Sequence, residues 1–164
     1  MITLRAVEPT DAEWIFDACQ DAAIQRWTRV PRPYLRSHAD EFVAGATGEL
    51  FRWVIVSDDR AIGLIGVHSI GEESGVAEIG YWVAPWGRGQ RAVTTAIGLM
   101  INELRANTEA RAVSAIIAEG NAASRAVAEG AGLTEFERRP DGCNDGDSPT
   151  MALVYRLTFS RPSP

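Results

Sequence analysis

The sequence predicts an α/β (α+β) domain whose mixed, mostly antiparallel sheet has about seven strands, with about four helices on its faces. Three observations lead to this class. Three apolar segments between Trp53 and Val83 are separated by Asp58-Asp59-Arg60 and Gly71-Glu72-Glu73-Ser74-Gly75, turns at hairpin spacing. Next comes an amphipathic helix with Val93, Ala96, Ile97, Met100, Ile101 and Leu104 on one stripe. A buried strand, a short helix and two further strands complete the chain.

In order, Ile2 to Ala6 reads as a short first strand. Thr10-Asp11-Ala12-Glu13 has capping-box spacing and opens a helix with Trp14, Ile15, Ala18, Cys19 and Ala22 at helical intervals. Pro31 and Pro33 break the following segment. Ser37 is the expected N-cap of a second helix, with Phe42, Val43 and Ala46 on one face. Trp53-Val54-Ile55-Val56, Ala61 to Ile70 and Val76 to Val83 form the meander, which ends at Pro85-Trp86-Gly87-Arg88-Gly89. After the amphipathic helix, Ala112 to Ala118 is a buried strand. Asn121 to Glu129 is a short helix stopped near Gly130 and Gly132. Leu133 to Arg138 and Met151 to Phe159 are the last strands. The polar, Gly-rich stretch Pro140 to Pro149 between them is expected to be a mobile loop. No linker or second core pattern is visible, so residues 1–164 are expected to form one domain.

The formal charge is −6, with 46% apolar and 23% charged residues. This argues against a broad nucleic-acid surface, which needs clustered excess cations. It favours solubility and, more weakly, basic or amine partners. No apolar run has membrane-helix length, and Met1-Ile2-Thr3-Leu4-Arg5 lacks the layout of a secretion signal, so no membrane association and a cytoplasmic location are expected. Cys19 and Cys143 have no metal-ligand spacing; reduced thiols and no metal are expected. All 16 basic residues are Arg.

Three segments carry chemistry: Glu78-Ile79-Gly80-Tyr81-Trp82-Val83-Ala84-Pro85, then Arg88-Gly89-Gln90-Arg91-Ala92-Val93, then Asn121 to Leu133. The second is a glycine-containing turn feeding a helix N-terminus. Its free backbone N–H groups and positive dipole end suit a pyrophosphate, although a plain strand-to-helix turn has the same pattern. By alternation, Glu78, Gly80 and Trp82 share one strand face, and Ile79, Tyr81 and Val83 the other.

Across its whole length the chain resembles the GNAT superfamily of N-acetyltransferases, particularly the RimJ/RimL-like branch. The third segment fits that branch's Asn-x-x-Ser-x-x-apolar-x-Glu-x-x-Gly-apolar pattern through Asn121, Ser124, Val127, Glu129, Gly132 and Leu133. In the coenzyme loop, Arg88 matches the first position, whereas Arg91 stands where Gly is usual and Val93 where Gly or Ala is usual. The resemblance implies acetyl-CoA as cosubstrate, held by Arg88, Gly89, Gln90, Arg91, Ala92, Val93 and Asn121, with a backbone N–H near Val83 on the acetyl carbonyl. It implies that the fourth strand splays from the fifth to admit the coenzyme, and that the segment carrying Arg26-Trp27-Thr28-Arg29 and Pro33-Tyr34 builds the acceptor mouth. Glu78 is the candidate base, or else a solvent-facing sheet carboxylate. The branch's common acid Tyr corresponds to Ala128 here, leaving Ser124 as candidate acid. His38 and His68 are read as structural or exposed. Arg91 is expected at negative φ, with its side chain outward or along the phosphates.

The expected function is acetyl transfer to a primary amine, a peptide N-terminus or a small molecule, by direct attack in a ternary complex. No Cys occupies a matching position for a covalent intermediate. The alternative is a non-catalytic module of the same fold that binds an acyl-CoA or a protein. A homodimer is compatible with either.

Overall fold

The computed structural model describes residues 1–160. Strands β1 (Ile2–Ala6), β2 (Phe51–Ser57), β3 (Arg60–Ile70), β4 (Val76–Val83), β5 (Ala112–Ala118), β6 (Thr134–Asp145) and β7 (Ser148–Thr158) form a seven-stranded sheet in the order β1-β2-β3-β4-β5-β7-β6. All neighbours are antiparallel except β4 and β5, which run parallel. A parallel pair needs a long crossover, and helix α4 (Ala92–Asn107) supplies it. The meander turn at Asp58-Asp59 has φ of 47° and 65°, the left-handed pair a two-residue hairpin needs, and Asp tolerates it better than most residues.

Alternation along the strands makes two cores. On one face, Ile65, Val67, Ala77 and Ile79 pack with the α4 stripe of Val93, Ala96, Ile97, Met100, Ile101 and Leu104, all buried as the spacing predicts. Helix α5 (Ala122–Gly130) lies on this face through Val127 and Ala128. On the other face, Val54 and Leu64 pack with Ala12, Ile15 and Ala18 of α1 (Ala12–Ala18), Ile24 of α2 (Ala22–Trp27) and Ala39 of α3 (Arg36–Val43). Trp14 and Trp82 meet there at 5.8 Å between ring centroids.

The structure departs from the sequence expectations in four places. The apolar spacing from Trp14 to Ala22 belongs to two helices, because Asp21 accepts hydrogen bonds from the Ala23 and Ile24 N–H groups and starts α2 anew. The cap at the start of the first helix lies further upstream than Thr10: the Glu8 N–H donates to Asp11 Oδ2 at 2.8 Å across a 3-10 turn, Pro9–Asp11. Ser37 lies inside α3 rather than capping it, Leu35 being the cap residue with its N–H donating to His38 Nδ1 at 3.0 Å, and Ala46 falls beyond the helix end. The stretch Pro140 to Pro149 is not a loop. It extends β6 and β7 into a hairpin turning at Gly146, with Cys143 on β6 and a register shift between Arg139 and Cys143 absorbing Pro140, Asp141 and Gly142. Distant partners order this polar tip: Arg26 pairs with Asp145 at 2.5 Å, Arg32 with Asp147 at 3.1 Å, and the Gly146 N–H donates to the Arg26 carbonyl.

Asp11 is the buried carboxylate that joins β1 to α1. It is 2% exposed and accepts from both Arg5 Nη groups at 2.6 and 2.8 Å, from Trp14 Nε1 at 2.6 Å and from the Glu8 N–H. Burial pushes its carboxyl up, but these donors together pull it further down, below the ordinary Asp range. A carboxyl depressed in the folded state stabilises above its ordinary value, and that stability is lost as pH falls through the folded value. Asp11→Asn should therefore lower unfolding free energy by about 2–4 kcal/mol at neutral pH, less than for a fully buried pair because the Arg5 side chain is 37% exposed. Urea unfolding at pH 7 and at about pH 3 checks this, since the difference between variant and parent should shrink at the lower pH.

Candidate functional site

Strands β4 and β5 pair only over Val76–Ile79 and Ala112–Ala115. Beyond Ile79, β4 continues to Val83 beside β3, and beyond Ala115, β5 continues to Ala118 beside β7. The sheet therefore opens into a wedge at its centre. The Ala84 N–H donates to the Ile62 carbonyl, so by antiparallel alternation Gly80 and Trp82 direct their backbone groups to β3. The N–H groups of Tyr81 and Val83 point into the wedge. On the opposite lip, the Glu119 N–H donates to the Met151 carbonyl, and the same alternation turns the backbone groups of Ile116 and Ala118 into the wedge.

Gly80 sits where the opening begins. Between Val67 and Ser69 the β3–β4 register shifts, and the extra residue, His68, lays its ring over Gly80; a Cβ there would stand 2.6 Å from His68 Nε2. His68 is thus part of the bulge geometry beside Glu78, a placement its lone position in sequence did not reveal.

On the α4 and α5 face, Tyr81 crosses the wedge to α5. Its hydroxyl donates to the Ser124 carbonyl at 3.2 Å and accepts from Ser124 Oγ at 3.1 Å. Burial pushes the Tyr81 phenol up, only partly countered by the Ser124 hydrogen bond. Tyr81 was not singled out in the sequence, and its place on the Ile79 and Val83 face was the available signal. Asn121 caps α5 through its side chain, which accepts from the Ser124 N–H at 3.2 Å. Glu129 accepts from the buried Tyr155 hydroxyl at 3.0 Å and Gly132 ends the helix with φ 87°, so several motif residues hold α5 itself in place.

The turn before α4 lies on the same side. The first intrahelical bond there runs from the Thr95 N–H to the Arg91 carbonyl, leaving the N–H groups ahead of Thr95 without helical acceptors. Gly89 has φ 80° with open space around its Cβ direction. Arg91 has φ 52° and ψ 19°, left-handed backbone, contrary to the negative φ expected from sequence. The chain must turn sharply to enter α4, and the position takes the conformation that glycine tolerates best; holding Arg there costs about 1–2 kcal/mol. The Ala92 and Val93 side chains point into the core, so Val93 fills the interior rather than the loop. Gln90 is held by its side chain, which accepts from the Ser57 hydroxyl at 3.0 Å. Arg88 pairs with Asp21 at 2.5 Å, and that hydrogen bond lowers the Asp21 carboxyl.

Helix α2 crosses the wedge on the opposite face. Asp21 at its start grips Arg88, and Trp27 at its end covers Gly120, where a Cβ would stand 3.3 Å from the ring. Glu78 also lies on this face, with its side chain 32% exposed and Arg29 Nη2 at 3.5 Å. Cys143 is close by: burial raises its thiol, with opposing influences from Arg29 and Glu78. The structure thus brings Glu78, Arg29 and Cys143 together on one side of the wedge and Tyr81, Ser124 and the α4 turn on the other.

Comparison with known proteins matches this architecture. The family model described as an acetyltransferase (GNAT) domain matches residues 1–134. The putative ribosomal N-acetyltransferase YdaF of Bacillus subtilis (strain 168) is 28% identical over 156 residues, covering 86% of this chain and 82% of that protein. Among solved structures, Mycobacterium smegmatis RimJ in complex with CoA-disulfide superposes with a TM-score of 0.85 at 19% identity, over 96% of this chain and 81% of that one. The spermidine N-acetyltransferase from Vibrio cholerae in complex with CoA and spermine gives 0.83 at 18% identity, over 98% and 96%. At those identities the structures establish a common fold, and the family match spans most of the sequence. The chain belongs to the GNAT acetyltransferase family.

Proposed function

We propose that this protein is an acetyl-CoA-dependent N-acetyltransferase in which a primary amine attacks the acetyl group directly, the acceptor being the α-amine of a peptide or a small amine. The observation that carries this reading is the wedge between β4 and β5. It has a helix N-terminus on one side and a carboxylate on the other. A phosphorylated, extended ligand fits the first side: free N–H groups at the start of α4 suit a pyrophosphate, and the polar edges at Tyr81, Val83, Ile116 and Ala118 suit an amide-bearing arm. An amine fits the second, where Glu78 offers a negative charge and a proton acceptor.

The thioester supplies an activated acetyl group. The Val83 N–H, aimed into the wedge, stabilises the negative charge that develops on the acetyl oxygen as the amine attacks. Glu78 takes the proton the amine loses on forming the amide, directly or through water. As the carbon–sulfur bond breaks, the two hydroxyls respond as a pair: the Tyr81 O–H turns its proton from the Ser124 carbonyl to the sulfur, while Ser124 Oγ goes on donating to Tyr81. They do not need to give up a proton. A thiol titrates at about 8.5 and a tyrosine at about 10, and burial moves Tyr81 higher still. The thiolate leaves as an anion and takes its proton from solvent. Arg91 adds a cation at the phosphate end. Its strained backbone supports a role for the side chain, because Gly would hold the same turn without strain.

Thiol release from acetyl-CoA against a panel of peptides and small amines tests the reading directly, and binding without release for every amine would overturn it. Glu78→Gln should lower kcat by about 100-fold or more with acetyl-CoA affinity unchanged. Ser124→Ala and Tyr81→Phe should each cost about 10-fold, and the double variant little more, since the two hydroxyls act as one unit. Arg91→Gly should raise unfolding stability by about 1 kcal/mol while weakening acetyl-CoA binding and flattening its dependence on salt. Thermal unfolding and titration at two salt concentrations measure both effects; a gain in affinity would show that Arg91 obstructs the loop.

A further inference from the structure

Although the chain is acidic overall, with a formal charge of −6, Glu78 has an arginine as its ion-pair partner, and other arginines of α2, the segment after it and β6 are each matched by an acid. Arg26 is held by Asp145 at 2.5 Å, Arg32 by Asp147 at 3.1 Å, and Arg139 by Glu137 at 2.8 Å. These carboxylates lie on β6 or its hairpin tip. Arg29 differs. Its ion-pair partner is Glu78 itself, at 3.5 Å, too long for a good hydrogen bond, and its side chain is 78% exposed against 32% for Glu78. Glu78 also acts on Arg139 through space.

We infer that Arg29 is a specificity-determining residue that selects acceptors carrying a carboxylate beside the reacting amine. The inference rests on the reading of Glu78 as the group that receives the amine's proton. At neutral pH an α-amine arrives largely as an ammonium, which gives one proton to water before the neutral amine attacks and the next to Glu78 as the amide forms. Docking that ammonium on Glu78 displaces Arg29 from its partner. With a neutral acceptor, two cations then stand side by side without a second anion. With a polyamine, the number of unmatched cations grows. A carboxylate a few bonds from the amine restores the balance: the ammonium faces Glu78, the carboxylate faces Arg29, and the four charges alternate. The planar guanidinium fork suits a carboxylate better than any other common anion except phosphate. Two sources share this chemistry, a peptide that begins with Asp or Glu and a free α-amino acid.

The test uses the full chain with acetyl-CoA and matched acceptors at low salt. These are peptides beginning with Asp, Asn or Lys and otherwise identical, a free amino acid against its amide, and spermidine. The Asp peptide should exceed the Asn peptide in kcat/KM by about fivefold or more, the size of a partly exposed charge pair, with the Lys peptide and spermidine lowest. The free acid should exceed its amide if small molecules are acceptors. Added salt should narrow these ratios. In Arg29→Gln the Asp-to-Asn ratio should fall to near one, and Arg29→Lys should restore part of it, a pattern that simple loss of stability does not produce. Equal rates for Asp and Asn peptides, or a ratio that survives Arg29→Gln, would overturn the inference while leaving acetyl transfer established. Failure of every amine to release thiol would overturn the assignment of Glu78 as well.

Discussion

The parting of β4 from β5 after Ile79 is the constraint on which the rest of the molecule depends. A sheet that opens at its centre exposes backbone N–H and C=O groups on both lips, and such groups need partners. Keeping the wedge open requires struts, and the structure has one on each face. On one side Tyr81 reaches from β4 to the first turn of α5 through two hydrogen bonds with Ser124. On the other, α2 is tied at its start to Arg88 and lies with Trp27 over Gly120 at its end. The bulge at His68 and the bare Cα of Gly80 let β4 turn away while staying paired with β3.

An opening through a sheet gives a small domain two separate approaches to one point. Each approach has its own electrostatics. The α4 side offers free N–H groups, a positive dipole end and Arg91. The α2 side offers Glu78 with the surrounding arginines, each matched by an acid. Net charge is therefore a poor guide to the acceptor side: the negative excess lies elsewhere, and the local balance is close to neutral.

Arg91 illustrates how a family pattern and a backbone requirement separate. The turn into α4 needs left-handed backbone at this position, which glycine adopts without cost. Arginine adopts it here too, and the about 1–2 kcal/mol it costs is small against the stability of a domain of this size. Val93, the other departure from the pattern, turns its side chain into the core beside α4's apolar stripe and leaves the loop's surface alone.

Periodicity is a local property, so the sequence by itself determined the order of the elements along the chain, the buried stripe of α4, and the faces to which Glu78 and Tyr81 belong. The Asn121 to Leu133 pattern likewise located a helix whose cap and stop are set within a few residues. Tertiary structure decided what depends on partners far along the chain. The tip of β6 and β7 reads as loop because Pro140, Gly142 and Gly146 are turn formers, yet Arg26, 119 residues from Asp145, orders it as a hairpin. Tyr81 and Ser124 are 43 residues apart, and only the packing of α5 against the sheet makes them a pair. The split of α1 from α2 follows from Asp21, which the helical spacing could not reveal because apolar residues keep their rhythm across the break. The φ of Arg91 was decided by the direction in which α4 must leave β4, since a backbone angle at a junction answers to the two elements it joins rather than to its own side chain.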